Sequence, residues 1–258
     1  MLDNFKEKTV VITGSSGILG SRLVKTYLSL GCQVIGIDIN TNVEITASSK
    51  FQFEKCDLSS EKDIKLIASK IKGSLGGVDI LINNAASKSK NLNNFFENLS
   101  SYSLDTWNEV MSVNLNSVFL MSKHFEELLA FNEGTVVNIS SIYGHIGPDN
   151  RIYQGSEYMG TAINTPAVYS ASKAAVIGLT KWLSTYWAEK NIRVNCVAPG
   201  GVQSGQNEAF IKNYSQRVPL NRMANIDEII DPIIFLSSDS ASYMNGQLIL
   251  IDGGLSAW

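Results

Sequence analysis

The sequence predicts an α/β fold, a doubly wound, mainly parallel seven-stranded sheet with helices on both faces. Three observations carry this. Seven short β-rich runs are spread along the 258 residues. Most are apolar nearly throughout rather than alternating, as strands covered on both faces are. The stretches between them are long enough for helices, and right-handed β-α-β crossovers then give a doubly wound sheet.

The strand runs are Thr9–Thr13, Gln33–Asp38, Phe51–Cys56, Val78–Asn83, Thr135–Ser140, Arg193–Ala198 and Gln247–Asp252. The helices fall at Gly17–Leu30, Glu61–Lys72, Leu104–Phe131, Tyr169–Glu189 and Ile226–Leu236. In the fourth, Val176, Leu179, Leu183 and Tyr186 recur at helical spacing, while Lys181 and Glu189 can face water. No Pro/Gly/Ser linker or repeat interrupts the alternation, so residues 1–258 read as one domain with integral loops at about 87–103, 142–168 and 201–222. Loops after the C-terminal ends of strands are where this architecture places ligands.

Composition narrows the function. The chain is 44% hydrophobic and 17% charged, with 24 acidic and 21 basic residues and no long basic run. Those figures exclude a disordered chain and offer no surface for nucleic acid or an anionic membrane. No apolar stretch approaches the roughly 18 residues of a spanning helix. The opening MLDNFKEKTVVITG enters a strand at once, leaving no room for a signal peptide, so the expectation is a cytoplasmic protein acting on a small molecule. Cys32, Cys56 and Cys196 read as buried reduced thiols rather than a bridge plus a free thiol. Two histidines and scattered cysteines give no metal-site spacing.

The first strand runs into Thr13-Gly14-Ser15-Ser16-Gly17-Ile18-Leu19-Gly20 and then a helix. Strand, glycine turn and helix N-terminus together make an anion site, because unpaired N–H groups and the helix dipole face whatever approaches. This is the Rossmann-like dinucleotide cradle, with Gly14, Ser16, Gly17, Ile18, Leu19 and Gly20 as its contacts; the plain alternative is a tight βα turn. Asp38 ends the second strand, 18 residues past Gly20. A carboxylate there accepts both ribose hydroxyls and repels a 2′-phosphate. No Arg lies in the turn or directly after Asp38, so NAD is expected over NADP. Asp57 and Leu58, past the third strand, fit the adenine edge, though Asp57 equally fits a loop cap. Asn84 and Ala85, past the fourth, fit the adenosine ribose.

Tyr169 and Lys173 open the fourth helix at spacing i, i+4, which puts them on one face. Ser141 ends the fifth strand run, and Asn114 lies in MSVNLNSVF. With these pieces in order, the chain resembles the short-chain dehydrogenase/reductase family over essentially its whole length. The matching motifs are the TG-rich turn, Asn83-Asn84-Ala85, Asn114, VVNISS, YSASK, Arg193-Val194-Asn195 to Pro199-Gly200, and Asp252-Gly253-Gly254. The resemblance implies Tyr169 as general acid/base, with Lys173 as its electrostatic partner and a ribose ligand. It also implies Ser141 on the substrate oxygen and Asn114 holding a relay water. After Pro199 and Gly200, the Val202 backbone and Ser204 would hold the nicotinamide carboxamide; the family more often has Thr at the latter position. Homo-oligomers, tetramer or dimer, built on the helices matching Leu104–Phe131 and Tyr169–Glu189 are implied too. Phe125, Trp182, Trp187 and the terminal Trp258 are the aromatics that fit such contacts, core packing being the alternative for the first three.

Hydride chemistry at an alcohol carbon needs a base in one direction and an acid in the other. A phenol titrating near 10 must be lowered by about 3–4 kcal/mol to work near neutrality. One ammonium at 4 Å supplies about 1 kcal/mol in water and about 4 at an effective dielectric of 20, so Lys173 serves only in a partly dehydrated cleft.

Two departures bear on substrate. The turn reads T-G-x-x-G-x-x-G, a spacing typical of the longer family branch with a C-terminal substrate domain; a chain this short has no room for one. And Ser141 and Tyr169 stand 28 positions apart, against roughly a dozen in compact relatives. The added segment offers His145, Asp149, Arg151, Tyr153, Glu157 and Tyr158, a wall for a hydroxyl-rich or anionic substrate or else a solvated flap. Arg151 and Tyr153 are the candidate substrate contacts, with Lys88 and Lys90 nearby. No nucleophile elbow surrounds Ser141, which sets aside a hydrolase triad with His145 and Asp149. The polar loop resembles members linked to bacterial sugar and surface-glycan synthesis, some to flagellin glycosylation. A sugar or sugar derivative is the favoured substrate. A 3-oxoacyl thioester reductase or generic alcohol dehydrogenase is the alternative. The former usually uses NADP and a basic docking patch, and Asp38 and the acidic balance count against both. A catalytically silent NAD-binding scaffold or sensor is a further alternative, disfavoured because all four catalytic positions are filled.

Overall fold

The computed structural model describes residues 5–41 and 48–258; the first four residues of the N-terminal run lie outside it. The core strands are β1 (Thr9–Thr13), β2 (Gln33–Asp38), β3 (Phe51–Lys55), β4 (Ile80–Asn83) and β5 (Thr135–Ile139). A two-residue pair, β6 (Glu157–Tyr158) and β7 (Thr161–Ala162), precedes β8 (Arg193–Pro199) and β9 (Leu248–Ile251). Seven of these form one sheet in the order β3-β2-β1-β4-β5-β8-β9, every pairing parallel. The helices are α1 (Ile18–Ser29), α2 (Glu61–Leu75), α3 (Leu92–Phe95), α4 (Leu104–Met111), α5 (Ser117–Phe131), α6 (Ala167–Tyr186), α7 (Glu208–Ser215) and α8 (Asp227–Ser237).

The apolar strand runs are explained by burial on both sides. Val10 and Ile12 of β1 pack with Leu23, Val24 and Tyr27 of α1 and with Ile229, Ile230 and Ile233 of α8. Val11, one residue between them, turns the other way onto Ile64, Ile67 and Ile71 of α2, Phe125 of α5 and Trp187. Strand alternation therefore splits one five-residue run between two cores. The strand order reverses between β1 and β4, which opens a crevice at their C-terminal ends.

Several boundaries differ from expectation for identifiable reasons. The expected single helix 104–131 is interrupted by a π-helical stretch at Ser112–Asn116, one of the bulges that favour functional sites. The 201–222 loop contains α7, capped by Asn207, whose side chain accepts from the Phe210 N–H. The 142–168 segment is ordered by short 3₁₀ turns and the β6–β7 pair. Tyr186, placed on the apolar stripe by its spacing, is exposed and stacks on exposed Trp182 (ring centroids 4.6 Å apart). Phe125 and Trp187 are wholly buried within this chain, so core packing rather than intersubunit contact explains both. Trp258 donates its indole N–H to the Arg217 carbonyl of its own chain, at 3.3 Å. His124 of α5 is partly buried beside Glu61, with Nε2 3.0 Å from a carboxylate oxygen. All three cysteines are free and buried, and burial pushes the Cys32 and Cys56 thiols up to about 12. No helix among the described residues is long and apolar enough to cross a membrane.

Candidate active site

The glycine turn begins with Gly14 at φ +66, where a side chain is disfavoured and a Cβ would come 2.8 Å from the Ala85 Cα. Gly20 is needed for contact: its Cβ would sit 2.0 Å from the Gly14 carbonyl oxygen. The turn is pinned from β4, because the Asn84 side chain donates to the Thr13 and Gly14 carbonyls (2.9 and 3.1 Å). Thr13 Oγ1 accepts from the Asn84 and Ala85 N–H groups. Asn84 was expected at the ribose; its amide instead serves the turn, and Ala85 is the residue that lines the groove.

Gly17 caps α1 with no side-chain hydrogen bond, and no acidic residue lies in the first turn. The N–H groups of Ile18, Leu19 and Gly20 have no acceptor among the described residues, while the Ser16 N–H donates to Asp38 Oδ2 at 3.0 Å. Beside them a cavity of about 380 Å³ is lined by Gly14, Asp38, Asp57, Leu58, Ala85 and Lys90, among others. Asp57 accepts from the Ser59 N–H and hydroxyl (2.9 and 2.7 Å), so it is a loop cap and a cavity residue at once. An adenosine fits this cavity and a pyrophosphate fits the free donors of the turn. Arg22, the nearest cation on α1, is held by Asp227 at 2.6 and 3.0 Å.

A second cavity, of about 320 Å³, is lined by Ser141, Tyr169, Gly200 and Ser204. Pro199 ends β8, and the Gly200 N–H donates to the Ile251 carbonyl at 2.8 Å. Val202 does not line the cavity; its carbonyl accepts from the Gln206 amide at 2.9 Å, and its N–H has no acceptor among the described residues. Ser141 and Tyr169 meet despite the long segment between them because that segment leaves from a tight junction. The Ser140 hydroxyl donates to the Lys173 carbonyl (2.8 Å), and a Cβ on Gly144 would lie 2.6 Å from the Lys173 carbonyl carbon. The chain is thereby docked on α6 before it loops out.

Lys173 is 3% exposed, its Nζ donating to the Ile139 carbonyl at 2.9 Å and lying 6.0 Å from the Tyr169 ring centroid. Burial lowers its ammonium to about 8. Burial pushes the Tyr169 phenol up, and the Ser141 hydroxyl facing it pulls the other way. The expected lowering of the phenol is thus not produced by this chain alone, since desolvation outweighs the neighbouring groups. Asn114, in the π-helical stretch, is buried; its Oδ1 accepts from the Ser87 N–H (2.7 Å) and its Nδ2 donates to Ser172 Oγ (3.4 Å). That ties α6 to the segment after β4.

The inserted segment supplies Tyr143, Tyr153 and Tyr158 to the second cavity, with Ile163, Asn164 and Thr165. Arg151 does not reach it. Its guanidinium is paired with Asp149 (2.8 Å), which also holds Arg217 (3.0 Å), and the arginine side chain is 76% exposed. His145 and Glu157 are likewise absent from the lining. Tyr153 does line it, its phenol bonded to Thr165 Oγ1. Sequence reasoning missed Phe210 and Tyr214 of α7. Their i, i+4 spacing behind the Asn207 cap was the available signal.

The family model described as "Enoyl-(Acyl carrier protein) reductase" matches residues 14–256. A 2-dehydro-3-deoxy-D-gluconate 5-dehydrogenase of Escherichia coli (strain K12) is 30% identical, covering 96% of this chain and 94% of that protein. A 3-oxoacyl-[acyl-carrier-protein] reductase of the same strain is 28% identical, covering 98% of each chain. A crystal structure of a short-chain dehydrogenase from Leptospira borgpetersenii with bound NAD+ superposes at a TM-score of 0.90 with 37% identity, covering 99% of this chain and 95% of that one. With nearly its full length matched in sequence and in fold, the chain belongs to the short-chain dehydrogenase/reductase family, NAD(P)-dependent oxidoreductases acting on CH–OH groups.

Proposed function

We propose that the protein is an NAD-dependent dehydrogenase of a sugar or sugar-derived hydroxyl/keto group, with Tyr169 as general acid/base. The observation that carries this is the shared cavity of Tyr169 and Ser141 above a buried Lys173, next to the turn-and-Asp38 groove. NAD, where bound, supplies a hydride acceptor and, in its oxidised form, a positive charge. Gly14, Ser16 to Gly20, Asp38, Leu58 and Ala85 hold its adenosine diphosphate half, and Gly200, the Val202 N–H and Ser204 its carboxamide end. Ser141 donates to the substrate oxygen and orients it against the phenol. Tyr169 takes the hydroxyl proton during oxidation and returns it during reduction; Lys173 favours the phenolate and reaches the ribose. Asn114 holds the segment after β4 against α6 and so keeps the helix face in place.

Asp38 supports NAD over NADP, because its carboxylate is fixed on the groove edge by the Ser16 and Asn40 N–H groups (3.0 and 3.2 Å) and Arg22 is engaged elsewhere. The tyrosine, asparagine and threonine groups set among the largely apolar side chains of the cavity support a substrate with a few hydroxyl groups to place. A homo-oligomer through α5 and α6 is part of the reading, since Phe119, Phe131, Trp182 and Tyr186 stay exposed on them; light scattering of Trp182→Glu should show a smaller particle. Tyr169→Phe should abolish NAD-linked turnover of a sugar panel while leaving NAD affinity nearly intact. Residual activity within about tenfold of the parent removes Tyr169 from the role. Turnover of acyl thioesters alone overturns the substrate.

A further inference from the structure

The cavity around Tyr169 and Ser141 has an unbalanced charge. Among the described residues, Lys88 is the one ionic side chain that lines it, and no aspartate or glutamate does. Lys88 leaves the end of β4 three residues after Ala85, and its ammonium sits 4.3 Å from the centroid of the Tyr158 ring on β6. Burial acts on that ammonium, lowering its pKa, with no carboxylate opposing the shift. The arginines nearby are paired, Arg151 and Arg217 with Asp149 and Arg222 with Glu228, and Lys173 is buried with its ammonium on the Ile139 carbonyl. Lys88 as a whole is exposed, so its ammonium is reachable from solvent, and the aromatic face beside it offsets only part of the cost of its partial burial. A single charge on the wall of a cleft raises the local concentration of ions of opposite sign.

Resting on the dehydrogenase reading, we propose that Lys88 is the anion-recognising residue of this cavity. It takes a carboxylate or phosphate of the substrate while the reacting CH–OH carbon lies against Tyr169 and Ser141. Tyr158 of the inserted segment is the positioning residue that holds the ammonium over the cavity. The volume, about 320 Å³, lies at the small end of ligand sites, which run from roughly 300 to 1,000 Å³. It favours a compact sugar acid or sugar phosphate over a nucleotide-linked sugar. The insertion thus serves specificity through its tyrosines, with the cation coming from the opposite loop.

The test compares the parent, Lys88→Met and Lys88→Arg in NAD-loaded form, with D-gluconate, D-glucose 6-phosphate and D-glucose as probes. Calorimetry reads binding and NADH absorbance reads turnover. The parent should bind one of the two anions about tenfold or more tighter than glucose, Lys88→Met should erase that preference, and Lys88→Arg should retain it within about threefold. Preference for gluconate assigns a carboxylate; preference for the 6-phosphate assigns a phosphate. The proposal is overturned by tighter binding of glucose, by an anion preference that survives Lys88→Met, or by binding of none of the probes. A loss of NAD affinity of about tenfold in Lys88→Met would place the lysine on the dinucleotide and overturn it too. Anion-selective binding without turnover of any probe leaves Lys88 in this role and counts against the dehydrogenase reading instead.

Discussion

Lys173 is buried with its ammonium on the Ile139 carbonyl at 2.9 Å and is held near 8 instead of 10.5. Keeping it charged at neutral pH therefore costs the fold about 3 kcal/mol, at 1.36 kcal/mol per pKa unit. Lys173→Met removes that cost and leaves the Ile139 carbonyl unpaired, a loss of about 1–2 kcal/mol. The variant should be more stable than the parent by about 1–2 kcal/mol at pH 7, a rise of roughly 3–6 °C in Tm, while losing turnover. The pH dependence has a definite sign. Below pH 8 the ammonium is charged in both folded and unfolded chains and the full cost applies. Between about 8 and 10.5 the unfolded chain holds more protons, so the parent gains stability as pH rises and its deficit against the variant closes. Urea unfolding of both proteins at pH 7 and pH 9.5, followed by tryptophan fluorescence, measures this. A variant less stable than the parent at pH 7, by a margin unchanged at pH 9.5, would refute the assignment of Lys173 as a desolvated cation.

Asp38→Ala should raise NADPH affinity relative to NADH by about tenfold or more in a fluorescence titration, because the fixed carboxylate that repels a 2′-phosphate is gone. Gly20→Ala drives a methyl to 2.0 Å from the Gly14 carbonyl, so NAD affinity should fall about tenfold to a hundredfold by calorimetry. Trp187→Ala empties a site that is 1% exposed between α6 and the sheet and should cost about 3–5 kcal/mol in urea unfolding. The Tyr169 phenol in the protein without dinucleotide should ionise only above pH 10, seen as a tyrosinate absorbance difference from Tyr169→Phe; ionisation near neutrality would contradict the upward push of burial.

The doubly wound sheet was legible because its strands advertise burial on both faces: Val10 to Ile12 read as apolar whichever core each joins. The glycine turn was legible because backbone geometry at Gly14 and Gly20 admits no side chain, a constraint that leaves its mark directly in the residues. Tyr169 and Lys173 were legible because one helical turn fixes their spacing. The partners of polar groups were not. Arg151 looked like an anion receptor until Asp149, two residues away, took its guanidinium, while Lys88 on another loop has no carboxylate partner among the described residues. Asn84 was expected in the ribose groove, but its amide had nearer acceptors in the turn.

Sequence alone determined the layer order of the molecule, the position of the glycine turn and the shared helix face of Tyr169 and Lys173, because those follow from local geometry and from periodic burial. Tertiary structure decided which of many charged and aromatic side chains share a cavity with Tyr169. Ion pairing and desolvation depend on distances between loops far apart in the chain, and no periodicity encodes those distances.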